Sequence, residues 1–321
     1  MTKIFNYEHR LLYELSLNSR IKKKELSQRL KKSPQLLSYS IDKLKSDKKI
    51  MNSCVQIDPA KFGLINVLVL LNFTTFEKDK RKEILNELKE MDNITSIKTL
   101  SHRADLLVEF TTSNLSQFNK LEMGLMQKYS KDLKLIDVYP VIVKHKFSPK
   151  YLSKRTKDEV SMILSGDREV IEMNNNEKKV ILELIKNTEA TILEISKKTN
   201  LNVRTVISMI KKLEDKKIIR GYTITLDLEK NNISACNMLI NMNENTPKEI
   251  DKFVEYSRHI PEIVGVYKII GKNSLLVNIQ SLKDYRHVIS QLREEFKFHD
   301  YQVYDVLNNL KNSYIPLSII K

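Results

Sequence analysis

The sequence has few of the residues that break regular structure or cross-link a chain. Only 6 of its 321 residues are Gly and 7 are Pro, which excludes collagen-like sequence and long Gly/Pro linkers. The two cysteines, Cys54 and Cys236, lie too far apart in sequence for a disulfide framework or a zinc motif. The six histidines form no HxxxH-type pair. We therefore expect neither a metal site nor a cofactor.

Long apolar runs are also missing. The longest, from Leu64 to Phe73, is interrupted by Asn66 and Asn72, whereas a membrane-spanning helix needs about 20 apolar residues. This run is typical of a buried strand. The first residues, MTKIFNYEHR, carry charge from the third position and do not resemble a signal peptide. The sequence thus predicts a soluble, cytoplasmic protein.

Positive charge is abundant. The chain has 55 Lys and Arg against 40 Asp and Glu, a net charge of +15. A charge of this size indicates a polyanionic partner. The alternative is a proteome-wide enrichment in lysine, which would spread the charge evenly along the chain.

The sequence repeats itself at an offset of about 169 residues. Apolar positions of one half match apolar positions of the other, as in Leu11/Val180, Leu15/Leu184, Leu37/Val206, Leu106/Leu275 and Leu107/Leu276. This period is far longer than the 20–50 residues of solenoid repeats, so each copy is a protein-sized unit. We infer a tandem duplication.

Each copy begins with three predicted helices. In the first copy they cover about Tyr7–Leu17 and Lys23–Leu30, followed by a third helix with Ser33 as N-cap and Pro34 as its first residue. In the second copy Asn202 is the N-cap of the third helix. Two short helices joined by a tight turn make a helix-turn-helix. The segments that follow, 50–58 and 218–227, are interpreted as wing hairpins.

The charge is concentrated in these helical parts. Residues 1–58 carry a net charge of +7 and residues 175–227 carry +4, so about a third of the chain holds +11 of the +15. Clustered Lys and Arg are what neutralisation of DNA phosphates requires. The clustering favours a DNA partner over a general lysine bias.

The predicted DNA-contacting residues lie on and around the two third helices. The N-terminal half of such a helix contacts base edges, whereas lysines nearby contact the phosphate backbone. The alternative is that these residues only form the solvated face of small helical bundles. The candidates are Ser33, Gln35, Ser38, Tyr39, Lys23, Lys24, Asn202, Arg204, Thr205, Ser208, Lys211 and Lys212.

The rest of each copy alternates strand and helix patterns in the order β-α-β-β-α-β, which is the ferredoxin-like order. The predicted fold class is therefore α+β, with two copies of a winged helix-turn-helix followed by a ferredoxin-like domain. The predicted domains are 1–58, 59–150, 175–227 and 228–321, with a connector hairpin at 151–174 that turns at Ser165-Gly166-Asp167.

This arrangement resembles the Lrp/AsnC (leucine-responsive regulator) family. The segments LNSRIKKKELSQRL at 17–30 and VRTVISMIKKLEDKKIIRGYTITLD at 203–227 are similar to its helix-turn-helix and wing. The resemblance implies a transcription regulator that binds double-stranded DNA and a small effector, often an amino acid. Because members of the family usually carry one copy per chain, two copies suggest an internal pseudo-dimer.

The resemblance also points to an effector loop between the second and third strands, where the family has a Gly-x-x-Asp pattern. The first copy keeps the Asp, in His102 to Asp105, and the second keeps the Gly, in Gly271 to Ser274. Glycine permits the positive φ of a tight loop, and Asp can accept from an ammonium. The candidate effector residues are His102, Asp105, Gly271, Asn273 and Ser274, with a plain β-turn as the alternative.

Enzyme motifs are not evident. The sequence has no Gly-rich phosphate loop, no GxSxG and no metal cluster, so we expect that the chain is not an enzyme and has no catalytic residues. Two alternatives to the regulator stay open. The sirohaem decarboxylases resemble the same two-part architecture, sometimes in tandem, and His102-Arg103 would fit them. An architectural DNA-compacting protein would bind DNA without sequence preference.

The ferredoxin-like units also predict how the copies assemble. Each has one sheet face that its helices leave uncovered, bearing Leu68, Leu70 and Leu107 in the first copy and Leu239, Leu276 and Val277 in the second. Such apolar faces are rarely left in water. We expect them to pack on each other within the chain, placing the two DNA-binding helices about an approximate two-fold axis. The alternative is that each face pairs with another chain.

Overall fold

The structure is a computed structural model that describes residues 6–153 and 161–320. The first half contains three helices, a strand and a mixed unit. These elements are α1 (Tyr7–Leu17), α2 (Lys23–Leu30), α3 (Pro34–Ser46), β1 (Ile50–Ile57), β2 (Ile65–Phe73), α4 (Lys78–Glu90), β3 (Ile94–Ser101), β4 (Leu106–Thr112), α5 (Leu115–Lys128), β5 (Leu133–Phe147) and β6 (Ser161–Leu164).

The second half repeats this order. Its elements are α6 (Asn175–Lys186), α7 (Ile192–Thr199), α8 (Val203–Asp215), β7 (Ile219–Leu226), β8 (Ser234–Met242), α9 (Pro247–His259), β9 (Ile263–Ile269), β10 (Leu275–Ser281), α10 (Arg286–Glu295) and β11 (Phe298–Asn312). The α+β class, the three-helix units and the β-α-β-β-α-β order are confirmed.

The predicted wing hairpins differ from the structure. A single strand follows each third helix, and the two strands pair with each other: β1 and β7 are antiparallel, with Cys54 opposite Thr223 and Val55 opposite Tyr222. A lone strand leaves its backbone N–H and C=O groups unpaired, and the equivalent strand of the other half supplies partners. This pair joins the two helical domains.

The two ferredoxin-like units form one closed barrel. Within each unit the strands follow the orders β5-β2-β4-β3 and β11-β8-β10-β9. The edge strand β3 then pairs with β11, and β9 pairs with β5, so the eight strands close on themselves. Sequence analysis predicted two faces in contact but not this edge pairing. Closure satisfies edges that would otherwise expose unpaired backbone.

The packing of the sheet faces within one chain is confirmed with one exception. Leu68, Leu70, Leu107, Leu239 and Leu276 belong to a single buried cluster that continues into the first helical domain. Val277 instead lies in the cluster beneath the outer helices α9 and α10. The reason is strand alternation, because a residue that follows an inward-facing neighbour faces outward.

The connector contributes one strand, β6, and its antiparallel partner is β5, with Lys144 opposite Leu164. The predicted turn residues Ser165-Gly166-Asp167 therefore come after the paired strand rather than between two strands. Ser165 is held by the end of the first helical domain, because its N–H donates to Asp58 Oδ1 at 2.9 Å. Residues 154–160 of the connector lie outside the described residues.

Candidate nucleic-acid interface and internal cavity

The first recognition helix, α3, starts where its capping residues predict. Ser33 Oγ accepts a hydrogen bond from the Leu36 N–H at 3.3 Å, and Pro34 is the first helical residue. Leu37 and Leu44 are buried against α1 and α2. The opposite face is open to solvent: Gln35 and Asp42 are exposed, and the Tyr39 residue keeps 66% of its surface.

The second recognition helix, α8, has a stronger cap. Asn202 Oδ1 accepts from both the N–H and the hydroxyl of Thr205, at 2.8 and 2.9 Å. The buried stripe consists of Val206, Ile210 and Leu213. The outer face of α8 presents Arg204, Ser208 and Lys211 to solvent, together with the apolar Ile207.

Other predicted contact residues have partners inside the protein. Lys23 Nζ donates to Ser38 Oγ at 2.9 Å, which ties α2 to α3. Lys212 pairs with the buried carboxylate of Glu177 at 2.6 Å, which ties α8 to α6. This ammonium, together with a backbone N–H, lowers the pKa of Glu177 against the opposing effect of burial. Lys24 is exposed.

The two helical domains contact each other beside the β1–β7 pair. The guanidinium of Arg20 donates to the backbone oxygens of Thr188 and Ala190 and lies 5.3 Å from the centre of the Tyr222 ring. Glu189 accepts from Lys45 and from Ser53. These contacts join the turn before α2, the end of α3 and the strand β1 to the turn before α7. The relative placement of α3 and α8 is therefore held by hydrogen bonds and ion pairs as well as by strand pairing.

The first candidate effector loop uses its acid for a structural contact. Asp105 Oδ2 accepts from the Phe73 N–H at 2.7 Å and so fixes the end of β2. His102 is exposed, and both His102 and Arg103 adopt a positive φ. The loop packs on β11 of the other half, where His102 Nδ1 lies 3.6 Å from the Asp305 carboxylate.

The second candidate loop packs on β5 of the first half. Gly271 has a φ of +145°, and a Cβ there would lie 3.0 Å from the Tyr139 ring. Asn273 donates to the Tyr139 hydroxyl at 2.9 Å. The Ser274 N–H donates to the Ile240 carbonyl at 2.9 Å. Each loop thus contacts the last strand of the opposite unit, and a role in effector binding stays a prediction.

A feature that the sequence analysis missed is a charged cavity of about 240 Å³ between the barrel and the helical domains. Among the described lining residues, the charged ones are Lys98, Glu109, Lys144 and Lys146. Glu109 and Lys144 form a buried ion pair at 2.6 Å. The signal in the sequence was a charge at an inward position of an apolar strand, as in LLVEF and VIVKHKF.

Lys98 is the unusual member of this group. Its Nζ donates to Asn278 Oδ1 at 3.0 Å and to Asn237 Oδ1 at 3.3 Å. Burial lowers the pKa of Lys98 to about 8, with a smaller opposing effect from Glu109. Its ammonium is therefore held inside the barrel by neutral amides.

Comparison with known families identifies the helical parts. The model of the winged helix-turn-helix DNA-binding family matches residues 6–51 and 173–220. These ranges contain the helices α1–α3 and α6–α8 that the capping and burial patterns define. The chain thus carries two winged helix-turn-helix regions.

Comparison with solved structures extends the likeness to the whole chain. The siroheme decarboxylase NirDL is similar over 97% of this chain and 94% of its own, with a TM-score of 0.60 and 13% identity. NirDL in complex with an iron-uroporphyrin III analogue gives a TM-score of 0.58 at the same coverage. At this identity the likeness establishes the fold.

This comparison corrects one expectation. The sequence predicted that the chain is not an enzyme, but NirDL, which is similar in fold over nearly the whole chain, is an enzyme. The missing phosphate loop and GxSxG motif could not exclude enzymes, because those motifs belong to other folds.

Regulators match one half at a time. An AsnC family transcriptional regulator from Agrobacterium tumefaciens is 19% identical over 46% of this chain and 98% of its own, with a TM-score of 0.41.

No curated protein sequence matches the chain. Within the described ranges, no helix is long and apolar enough to cross a membrane. The comparisons together show two winged helix-turn-helix regions and a fold that resembles a siroheme decarboxylase over nearly the whole chain.

Proposed function

We propose that the chain is a sequence-specific, DNA-binding transcription regulator of the Lrp/AsnC type. The observation that carries this proposal is that two separately capped recognition helices leave their outer faces to solvent, in the two regions matched by the winged helix-turn-helix model. One chain then presents two DNA-binding helices, as a dimer of single-copy regulators does.

The charge distribution supports this function. The helical domains carry +11 of the net +15, and exposed Lys24 and Lys211 lie on or beside the recognition helices. Lysines in such places neutralise phosphates without selecting a sequence. Arg204, at the second residue of α8, has the donor geometry to bind a guanine through two hydrogen bonds. Gln35, at the equivalent position of α3, has the amide that pairs with adenine.

The experiment compares two duplexes by fluorescence anisotropy. One carries the region upstream of the protein's own coding sequence, because many such regulators bind their own promoters, and the other is a shuffled duplex of the same composition. We expect tighter binding to the first and a protected segment in footprinting. Equal affinity for both duplexes would favour the architectural alternative, and no binding to either would refute DNA binding.

A small effector such as an amino acid belongs to this proposal. We place it at the loops that contain His102, Asp105, Gly271, Asn273 and Ser274. In the second loop Asn273 Oδ1 is buried and has no hydrogen-bond partner among the described residues, which leaves an acceptor for an ammonium group. Asp105 already serves β2, so the second loop is the stronger candidate.

A second candidate function is decarboxylation of a carboxylate-bearing tetrapyrrole. Two observations favour it: the fold shared with siroheme decarboxylase over 97% of the chain, and three lysines lining the cavity between the halves. Ammonium groups bind carboxylates, but a cavity of about 240 Å³ must widen to admit a tetrapyrrole, since drug-sized ligands occupy about 300–1,000 Å³.

The test of this second candidate is optical and chemical. Sirohaem is added to the protein, the visible spectrum is recorded, and the product is examined by mass spectrometry for loss of carbon dioxide. A shifted spectrum with a decarboxylated product would establish the activity. An unchanged spectrum would eliminate it.

A further inference from the structure

The cavity between the barrel and the helical domains contains more positive than negative charge. Three ammonium groups line the cavity, from Lys98, Lys144 and Lys146, and the carboxylate that accompanies them is Glu109. Glu109 forms its ion pair with Lys144, because its Oε1 accepts from Lys144 at 2.6 Å, and the same oxygen accepts from Asn66 at 3.0 Å. Buried charges are stable in proteins only when they are paired or bonded. The cavity therefore has two positive charges without a carboxylate of their own among the described residues.

The side-chain amides of Asn237 and Asn278 contact Lys98 only through their oxygen atoms. An ammonium can only donate, so Asn237 and Asn278 turn their Oδ1 atoms toward Lys98. Their Nδ2 groups are thereby directed elsewhere. Both Nδ2 atoms are buried and lack a hydrogen-bond partner within the described ranges, while Asn237 is 2% and Asn278 6% exposed. Unpaired buried donors cost free energy and call for an acceptor.

This arrangement is not repeated by the duplication. Lys98 lies opposite Leu107 on the neighbouring strand, and Tyr267 lies opposite the equivalent Leu276. Tyr267 therefore replaces Lys98 in the second half, and by the same register Asn278 replaces Glu109. The lysine of one half and the asparagines of the other meet at a single place. Within the described residues the chain has one such site.

The same cavity borders the segments that hold the DNA-binding domains. Its wall includes Thr223 and Thr225 of β7, Gln56 of β1 and Ser16 near the end of α1. The β1–β7 pair joins the two helical domains, and Thr223 donates to the Ser16 carbonyl at 2.8 Å. A molecule in the cavity would contact both the barrel and this strand pair.

We propose that the cavity is a binding site for a small organic dianion, of the dicarboxylic acid class. One carboxylate is bound by Lys98 and the unpaired amide of Asn278, and the second lies toward Lys146, whose Nζ donates to the Tyr314 hydroxyl at 2.6 Å and lies 4.8 Å from the centre of the Tyr314 ring. Two negative charges balance the two unpaired ammonium groups. The volume of about 240 Å³ suits a ligand of a few carbon atoms better than a large one.

Coupling to DNA is a further step that rests on the proposed function. Occupancy of the cavity changes the charge and the contacts beneath β7 and β1, which set the relative placement of α3 and α8. We expect the dianion to change the affinity of the protein for DNA, because it would bind one relative placement of the helical domains more tightly than another.

The site is tested by isothermal titration of the full-length protein with succinate, glutarate and butyrate. We expect one dicarboxylate to bind with one site per chain and butyrate, which has a single carboxylate, to bind at least tenfold more weakly. Lys98→Gln, which keeps a donor for the asparagines but removes the charge, should weaken binding at least tenfold. The matched control Lys134→Gln changes an exposed lysine of β5 and should leave affinity unchanged.

A second variant keeps the test decisive if Lys98→Gln does not fold. Asn278→Asp places a carboxylate beside Lys98, so we expect it to raise the melting temperature and to abolish binding of the dicarboxylate. Lack of binding by either dicarboxylate to the wild type, or binding unchanged in both variants, would overturn the site.

The DNA arm separates the two proposals. Anisotropy is measured with and without the bound dicarboxylate. A bound ligand with unchanged DNA affinity would overturn the coupling but not the site. If the ligand-free protein binds no DNA, the proposed function fails, whereas the titration still decides whether the site exists.

Discussion

The two recognition helices share a scaffold but present different chemistry. At positions 169 residues apart, α3 has Gln35 where α8 has Arg204, and Asp42 where α8 has Lys211. The buried stripes, by contrast, match, as in Leu37 and Val206. Core positions are constrained by packing, whereas outward positions can diverge without loss of stability. The two halves thus share a fold but differ in the residues on their outward surfaces.

The helices that precede the recognition helices, α2 and α7, differ in positive charge, which is higher at the start of α2. The first half has lysines at positions 22–24, whereas the second half has Thr191, Ile192 and Leu193 at the equivalent positions. The start of α2 in the first domain is thus richer in lysine, the kind of side chain that contacts phosphates, whereas α8 in the second carries Arg204 and Lys211 on its outer face. We infer that the two domains have different roles: the first mainly contacts DNA phosphates, and the second recognises the base sequence.

The largest expected effect is on sequence selection. Arg204→Ala should reduce discrimination between the preferred duplex and random DNA by about 1–3 kcal/mol, because it removes a bidentate contact to guanine. The matched variant Gln35→Ala should reduce discrimination less. Both are measured by competition binding at one salt concentration. Equal losses on preferred and random DNA for Arg204→Ala would contradict its assignment to a base.

The next effect is on stability. Asn202→Ala should lower the free energy of unfolding by about 1 kcal/mol, since its Oδ1 accepts two hydrogen bonds from Thr205. Ser33→Ala should cost less, because Ser33 accepts one bond at 3.3 Å and Pro34 also favours the helix start. Urea denaturation followed by circular dichroism compares the two. A larger loss for Ser33→Ala would show that the caps do not rank as their geometry indicates.

The smallest effect concerns a single phosphate contact. Lys24→Ala should weaken binding to every duplex by a similar factor and lower the slope of log K against log salt by about 1. The control Leu193→Ala, at the equivalent exposed position of the second half, should leave the slope unchanged. A slope that falls equally in both variants would remove the distinction between anchoring and selecting domains.

Local signals explain why the helices of these domains, though not their wings, could be predicted. Ser33 before Pro34, and Asn202 before an apolar stripe, mark helix starts through interactions within one turn. The strand and helix order of each unit likewise follows from local periodicity.

Barrel closure and the β1–β7 pair depend on residues far apart in sequence, so no local pattern specified them. The pairing of β3 with β11 joins Leu100 to Val306, and no turn residue signals this contact. The lysines inside the barrel were missed for a related reason. From sequence alone, Lys98 and Lys146 would be assigned to the surface, whereas closure of the barrel places both of them in the wall of the cavity.

The central claim is that both helical domains bind DNA through clustered positive charge. It is tested most directly by titrating the full-length protein against duplex DNA at two ionic strengths. We predict binding at low salt and a steep fall of log K with log salt, as expected when several phosphates are neutralised. No binding at low salt, or an affinity independent of salt, would contradict the claim.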